Sequence, residues 1–199
     1  MQMGKFSLAK AEIEEAHKLD PLSPIISANA GLYSYYEHNY DDAIAKYKLT
    51  LQSDPDFWVA RHYLALAYVQ KGMHNEAIAE LRKLIKVPES GPIPDQVVEA
   101  ESEASASLGF AYGMAGRQAE ARAILDQLQA LSKRRYVSGL YFAIIHAGLK
   151  DSDKAMEYLN KAFDARHPGL VLIRIEPMFD GLRSDERFKQ LTKRFEPIP

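Results

Sequence analysis

The stretch of sequence that decides the fold is LALAYVQKGMHNEAIAEL at residues 64–81, and it recurs in outline as LGFAYGMAGRQAEARAIL at residues 108–125. Each copy begins with leucine and a small residue, has a tyrosine one helical turn later, and then a glycine and an alanine. Because glycine accepts the left-handed backbone of a tight turn, each copy predicts two helices joined at Gly72 or Gly116. The recurrence of one unit indicates an internal repeat.

The alanine of this unit recurs along the chain. It is found at Ala9, Ala43, Ala77, Ala121 and Ala155, with spacings of 34, 34, 44 and 34 residues. The spacing of 44 equals one period plus an insertion of ten residues. The large residues four positions after each alanine are Ile13, Tyr47, Leu81, Leu125 and Leu159, and the small residues twelve positions before the last four alanines are Gly31, Ala65, Gly109 and Ala143. Since small residues let two helices cross closely, the pattern predicts stacked helix pairs.

This period and signature resemble the tetratricopeptide repeat. The resemblance rests on Leu-Ala-x-x-Tyr from Leu64, Leu-Gly-x-x-Tyr from Leu108, the periodic alanines, and the Asp-Pro pairs at Pro21 and Pro55, which end a helix. It spans about residues 4 to 167. It implies an all-α fold, a right-handed superhelical solenoid of helix-turn-helix repeats with a C-terminal capping helix, whose function is to bind other proteins.

We expect one domain over residues 1–199. It comprises a half repeat at 4–20, full repeats at 22–55, 58–87, 94–133 and 136–167, and a C-terminal cap at 168–199. The insertion from Pro88 to Pro94 contains prolines that cannot continue a helix, so we expect a surface loop there and an elongated first helix from about Asp95. His38 and Lys150 stand where other repeats have the glycine of the turn, which leaves these two turns less well defined by the sequence.

The tail after residue 167 leaves the repeat period. Its apolar run at residues 170–175 fits either a buried helical turn or a strand. Further on, Ser184 suits the N-cap of a closing helix, and Asp185 and Glu186 suit its positive end. The apolar stripe of this helix is Phe188, Leu191 and Phe195. The side chains expected to be buried by the cap are Phe179, Leu182 and Phe188.

The tail also resembles a C-terminal signature, Phe-Asp-x-Leu-Arg-x-Asp-x-Arg-Phe, which runs here from Phe179 to Phe188. This signature is typical of tetratricopeptide regions in bacterial multidomain regulators, which carry winged-helix transcription regulators, nucleotide cyclases or serine/threonine kinases. The stretch from Lys133 to Ser138 is similar to the same group. The resemblance implies the regulatory or scaffolding part of a larger bacterial signalling or transcription-regulating protein.

Composition restricts the possible partners. Apolar residues make up 47% and charged residues 26% of the chain, which is ordinary for a soluble globular protein. Lys plus Arg total 25 and Asp plus Glu total 27, too balanced for direct binding of nucleic acid. No apolar run is long enough for a membrane helix, so no membrane contact is expected. We expect a cytoplasmic location, and a periplasmic one if the parent protein has an upstream membrane segment.

The sequence shows no pattern for catalysis or for a cofactor. There are no cysteines, and the six histidines do not have the spacing of a metal site. His146 stands where other repeats have a tyrosine, which favours a packed core residue. The basic run from Lys133 to Arg135 could contact phosphate or an acidic partner, but such a run more often complements the end of a helix. We therefore predict a non-enzymatic protein without a metal or a cofactor.

The partner is expected in a concave groove formed by the first helix of each repeat. The groove residues, which we call the stripe, are Ile25, Ala28, Leu32, Tyr35, Val59, His62, Leu66, Val69, Glu103, Ala106, Phe110, Val137, Leu140 and Ile144. Only Glu103 is charged, so the stripe predicts binding of a peptide or an amphipathic helix by apolar contact. Burial of the stripe by neighbouring repeats is the alternative, and the sequence does not decide between them.

Three other interpretations stay open. The first is a small-molecule sensor or an enzyme whose site in the groove uses Tyr35, His62 and Tyr63. The second is a structural spacer in a longer chain. The third concerns the N-terminal end, where Phe6 and Ile13 belong to a half repeat that lacks its first helix, so residues 1 to about 40 could form a homo-oligomer.

Overall fold

The computed structural model describes residues 11–13, 15–20, 23–85 and 94–195. Residues 11–13 and 15–19 are helical. The helices that follow are α1 (Pro24–Tyr36), α2 (Tyr40–Ser53), α3 (Trp58–Gln70), α4 (His74–Leu84), α5 (Asp95–Met114), α6 (Gln118–Ser132), α7 (Gly139–Gly148), α8 (Ser152–Asp164), the 3-10 helices η1 (Pro168–Leu172) and η2 (Pro177–Leu182), and α9 (Glu186–Lys193). The described residues contain no strand, so the prediction of an all-α chain is confirmed.

Several of the sequence predictions fall outside the described residues. They are Phe6, Ala9, Pro21, residues 4–10 and 14 of the half repeat, and the insertion up to residue 93.

The chain divides into two compact units, Met1–Glu80 and Leu81–Pro199. In the first unit, α2 packs against α1 and α3, and α1 also contacts α3. In the second unit, α5 packs against α6 and α7, and α7 packs against α8 and η2. The last helix, α9, contacts α8. Each unit therefore contains helices that pack on their neighbours in the chain, as the repeat pattern predicts.

The periodic alanines mark equivalent places in the second helix of each pair. The four described members, Ala43, Ala77, Ala121 and Ala155, are all completely buried. The small residues of the first helices permit close approach. A methyl group built at Gly31 would lie 2.6 Å from Cε1 of Tyr47 on α2, and one built at Gly109 would lie 2.8 Å from Cγ1 of Ile145 on α7. The period therefore reflects a steric requirement at the places where helices cross.

One turn joins the two helices of a pair in both units. In these turns the residues with a left-handed backbone are His38, Gly72, Gly116 and Lys150, with φ between 60° and 74°. At Lys150, the backbone N–H donates to the carbonyl of Ala147 at 3.0 Å, and the next N–H, of Asp151, donates to His146 at 2.9 Å. These two bonds close the end of α7. The turns at His38 and Lys150 thus have the same backbone as those at glycine, although a side chain makes this backbone less favourable.

The first helix of the third pair is longer than its counterparts. α5 begins at Asp95, as expected from the prolines before it, and has 20 residues. The corresponding helices α1 and α3 have 13 residues each, and α7 has 10. The additional turns of α5 are therefore particular to this repeat.

The tail closes the second unit with short helices. The apolar run at 170–175 forms part of η1 and a turn. It is therefore helical and not a strand, which were the two structures that the sequence allowed. Phe179, Leu182 and Phe188 are 1%, 3% and 3% exposed, which confirms that they are buried. The predicted N-cap is wrong by one residue. Asp185 caps α9, because its Oδ1 accepts the backbone N–H of Arg187 at 2.8 Å.

Among the described residues, no helix combines the length and the apolar composition that crossing a lipid bilayer requires.

Candidate functional site

The structure buries most of the predicted stripe. The buried members are Ala28, Tyr35, His62, Leu66, Val69, Ala106, Phe110, Leu140 and Ile144. Leu32, Val59, Glu103 and Val137 are partly exposed, and Ile25 is 50% exposed. Only these five side chains of the stripe therefore have surface that a partner could contact.

In the first unit, Tyr35, His62 and Tyr63 lie together as an aromatic cluster. The ring centroids of Tyr35 and Tyr63 are 5.5 Å apart, and those of His62 and Tyr63 are 5.3 Å apart. The ring of His62 also stacks on Trp58 at 4.7 Å. Burial lowers the pKa of His62 to about 3, so the imidazole is neutral at neutral pH. These rings contact one another directly, as side chains of a packed core do.

In the second unit, a cleft of about 540 Å³ lies beside the start of α5. The residues that line it are Asp95, Val98, Glu99, Arg134, Arg135 and Tyr136. One wall is formed by the additional N-terminal turns of α5, and the other by the loop that follows α6. The cleft therefore depends on the elongated helix that distinguishes this repeat.

Opposite charges meet at one side of the cleft. Nη1 of Arg135 lies 3.0 Å from Oδ1 of Asp95. Because α6 ends at Ser132, the basic run at 133–135 belongs to the loop, and Arg135 pairs with α5. Arg135 therefore forms an ion pair with Asp95, and does not complement the end of α6 as the sequence suggested. Tyr136 is 64% exposed beside it and presents an aromatic ring to the solvent.

Glu99 is held by two neutral donors. Its Oε1 accepts the hydroxyl of Tyr141 at 2.5 Å and Nε2 of His167 at 3.2 Å. The tautomer of His167 follows from its other nitrogen, because Nδ1 accepts the backbone N–H of Gly169 at 3.1 Å. Nε2 must then carry the proton that is donated to Glu99. Burial, followed by the hydrogen bond to Glu99, raises the pKa of Tyr141, so its hydroxyl stays protonated.

Glu103 lies one helical turn beyond Glu99 on α5. Burial raises the pKa of Glu103 to about 7, and the charges of Glu99 and Glu176 add to this effect. Glu176 is 8% exposed and caps η2, where its Oε1 accepts the backbone N–H of Met178 at 3.3 Å. Glu99, Glu103 and Glu176 thus form a carboxylate cluster next to the cleft, and one member titrates near neutral pH.

The sequence identified Glu103 as the charged residue of the stripe, but it did not identify the other members of the site. Glu99 could have been found, because it precedes Glu103 by one turn of the elongated helix. No signal in the sequence predicted His167, at the end of the last repeat, or Glu176, in the tail, since both approach α5 only through the tertiary fold. Tyr141 is likewise positioned by the packing of α7 on α5.

No group of three or more His, Cys, Asp and Glu side chains in the described part of the chain could hold a metal ion.

The helix pairs with a common turn define the class of helical repeat proteins. Models of the tetratricopeptide repeat family match residues 35–87 and residues 142–166. The structure is also similar to the crystal structure of a tetratricopeptide repeat protein from Parabacteroides merdae ATCC 43184, with a TM-score of 0.52 and 15% sequence identity, over 98% of this chain and 75% of that chain. No curated protein matches the sequence. Residues 35–87 and 142–166 therefore match the tetratricopeptide repeat, and the resemblance of the sequence to this repeat is confirmed.

Tetratricopeptide repeats are generally protein–protein interaction modules, and the fold is typically non-catalytic. The fold alone does not identify the partner, because specificity depends on the side chains of the binding surface.

Proposed function

We propose that this chain is a non-catalytic module that binds a peptide or helix of a protein partner through the first helices of its repeats. The observation that carries the proposal is the open cleft on the second unit, which lies along the elongated first helix α5. Such a cleft offers both polar and apolar contacts to an extended segment. In the first unit, the partly exposed Ile25, Leu32 and Val59 provide apolar contacts.

The buried members of the stripe support this surface from below. Phe110 is 2% exposed and His62 is 2% exposed, so these side chains fix the positions of the first helices. A partner is then recognised by the side chains that keep some solvent contact. Of the fourteen residues expected to form the apolar groove, only the five that keep solvent contact are therefore available to a partner.

The resemblance of the tail, from Phe179 to Phe188, supports a role within a larger protein. We propose that the module is the regulatory or scaffolding part of a bacterial signalling or transcription-regulating protein in the cytoplasm. Identification of the gene product by mass spectrometry of native cells, with peptides from both this chain and an effector domain in one polypeptide, would support this role. A native product that consists of this chain alone would contradict it.

Peptide selection tests the binding function. Random dodecapeptides displayed on phage are selected against the immobilised chain, and the selected peptides are synthesised and titrated by calorimetry. We expect Ile25→Glu to weaken their binding by about tenfold, because a charge replaces an apolar contact at a partly exposed position. Leu49→Glu is the matched control, since Leu49 is 57% exposed on the second helix α2 and is not part of the stripe.

Two results would contradict the proposal. One is a selection that yields no peptide with measurable affinity for the chain. The other is an equal loss of affinity in Ile25→Glu and Leu49→Glu, because binding would then not depend on the first helices.

A further inference from the structure

We propose that the tail segment, residues 168–182, is a pH-sensitive switch that stays docked on α5 and α7 while Glu103 and Glu176 hold one proton between them. Ionisation of both carboxyls loosens the segment and exposes the apolar side chains that it buries. The switch needs no partner protein, so its test is independent of the proposed binding function.

The tail segment is attached to the rest of the second unit at both ends. Directly before it, Nε2 of His167 donates to Oε1 of Glu99 on α5 at 3.2 Å, and Nδ1 of His167 accepts the N–H of Gly169 at 3.1 Å. At its other end, η2 packs on α7. Glu176 lies between η1 and η2, so its carboxyl group belongs to the part of the segment that these two attachments hold in place.

Carboxyls from two distant parts of the chain interact at this contact. Glu103 lies one helical turn beyond Glu99 on α5, and Glu176 is 8% exposed in the tail segment. The charges of Glu99 and Glu176 both act on Glu103, and burial removes part of the water that would screen them. Docking therefore brings like charges together, and a proton on Glu103 relieves the repulsion.

The groups that face the cluster from α7 and from the start of the tail are hydrogen-bond donors. The hydroxyl of Tyr141 donates to Oε1 of Glu99 and stays protonated, because burial raises the pKa of Tyr141. His167 donates to the same oxygen as a neutral ring, since its Nδ1 accepts the N–H of Gly169. Both donors bind the ionised form of Glu99, so they preserve the negative charge that opposes ionisation of Glu103.

Arg183 also contacts this part of the chain. Its Nε donates to Oδ1 of Asp180 at 2.6 Å, and its Nη2 donates to the backbone carbonyl of Glu176 at 3.5 Å. A guanidinium group keeps its charge at neutral pH. Arg183 therefore makes a constant contribution to docking, and the pH dependence comes from the carboxyls.

Apolar burial opposes release of the tail segment. Leu170, Ile173, Phe179 and Leu182 are each 3% exposed or less, and their burial favours docking at every pH. The repulsion between the carboxyls adds to this balance only when Glu103 is ionised. The equilibrium therefore shifts toward release as the pH rises.

The pKa of Glu103 determines the pH range and the size of the effect. This pKa is about 7 in the docked chain, against an ordinary value of 4.5. A proton on Glu103 therefore favours docking below about pH 7, and this contribution is lost above it. If release restores the ordinary pKa, the ratio of released to docked chains rises by about tenfold between pH 6 and pH 8.

Labelling of an introduced cysteine measures release, since the chain has no cysteine of its own. Leu182→Cys places a thiol where the side chain is 3% exposed, and Val171→Cys places one in the same segment where the side chain is 66% exposed. The rate of labelling of Leu182→Cys by iodoacetamide is divided by the rate for Val171→Cys, which removes the direct effect of pH on the thiol. We expect this ratio to rise by about three- to tenfold from pH 6 to pH 8.

Leu128→Cys is the matched control that separates local release from global unfolding. Leu128 is also 3% exposed, but it lies on α6, outside the tail segment. Its thiol should be labelled more slowly than that of Leu182→Cys at pH 8, because only the tail segment opens. Circular dichroism shows whether each variant is folded, and Ile173→Cys, at a position that is 2% exposed, replaces Leu182→Cys if that variant is not.

Glutamine variants identify the group that titrates. Glu103→Gln should abolish the pH dependence of the labelling ratio. Glu176→Gln should reduce it, since glutamine carries no charge but keeps an oxygen that can accept the N–H of Met178. Glu120→Gln, on α6, should retain it.

Three results would overturn the switch. One is a labelling ratio that changes by less than about twofold between pH 6 and pH 8. Another is a change that persists in Glu103→Gln, because a different group, such as His167, would then titrate. The third is equal labelling of Leu182→Cys and Leu128→Cys, because the tail would then open only when the whole unit unfolds. Peptide binding is measured separately, so each of these results leaves the proposed function intact.

Discussion

Replacing Glu103 by glutamine tests the electrostatics of the carboxylate cluster. Burial and the nearby charges of Glu99 and Glu176 raise the pKa of Glu103 from 4.5 to about 7. Since each unit of pKa difference corresponds to about 1.4 kcal/mol, the ionised side chain destabilises the folded chain by up to about 3 kcal/mol at high pH. Because Glu103 keeps some solvent contact, we expect Glu103→Gln to raise the free energy of unfolding by about 1–3 kcal/mol near pH 8.

Linkage fixes the pH dependence of this gain. When the pKa of a carboxyl is higher in the folded chain than in the unfolded chain, its ionised form destabilises the folded chain. This destabilisation is complete at a pH above the pKa of the folded state. The penalty declines as the pH falls from about 7 to 4.5 and vanishes below that window. Wild type and Glu103→Gln should therefore differ most in stability near pH 8 and converge near pH 4.5.

Urea unfolding followed by circular dichroism at about pH 5, 6.5 and 8 provides the measurement. Glu120→Gln is the control with the opposite sign, because the hydrogen bond from Arg117 lowers the pKa of Glu120. This variant should give no gain in stability at high pH. A gain in Glu103→Gln that is equal at pH 5 and pH 8, or no gain at any pH, would refute the reasoning about the cluster.

Four further predictions concern packing, turns, the cap and association. Gly113→Ala should lower the free energy of unfolding by about 1–3 kcal/mol, since its methyl group would meet the backbone of α7, whereas Gly181→Ala, with open space around it, should be nearly neutral in urea unfolding. Lys150→Gly should raise the stability by about 0.5–1 kcal/mol, because φ is 60° there, and a lower midpoint of thermal unfolding would contradict this. Phe188→Ala should cost about 3–5 kcal/mol in urea unfolding, and a loss below about 0.5 kcal/mol would mean that the cap is a surface appendage. Association through residues 1 to about 40 stays a prediction, and light scattering should show an oligomer that Leu19→Lys weakens, since Leu19 is 82% exposed, whereas a monomer mass for the wild-type chain would reject it.

The helix pairs could be predicted from the sequence because their crossings demand small residues. Gly31 and Gly109 each face a side chain that leaves no room for a methyl group, and the buried alanines recur with the period. The turns at His38 and Lys150 could not be recognised in the same way. Both residues adopt a left-handed backbone although neither is glycine, so the residue type does not reveal the turn.

The depth of burial was not predictable from periodicity. The stripe identifies the face of each first helix, but a period does not say whether that face meets solvent or another helix. Tyr35 and Ile25 belong to the same stripe of α1, yet the first is fully buried and the second is half exposed.

The carboxylate site was accessible to sequence reasoning only through Glu103. His167 reaches Glu99 across 68 residues of chain, and its role depends on a backbone N–H of the tail. Such a contact leaves no local pattern in the sequence, because it exists only once α5, α7 and the tail have packed together.

His167 precedes the tail and caps η1, so its hydrogen bond to Glu99 links the start of the tail to the cleft. A ligand that alters this hydrogen bond would also change the stability of the tail, because coupling between two sites is reciprocal. Binding at α5 should therefore alter the hydrogen-exchange rates of amides in η1 and η2, and shortening the tail should change affinity at a surface that the deleted residues do not line. These two measurements would show whether the cap contributes to recognition as well as to folding.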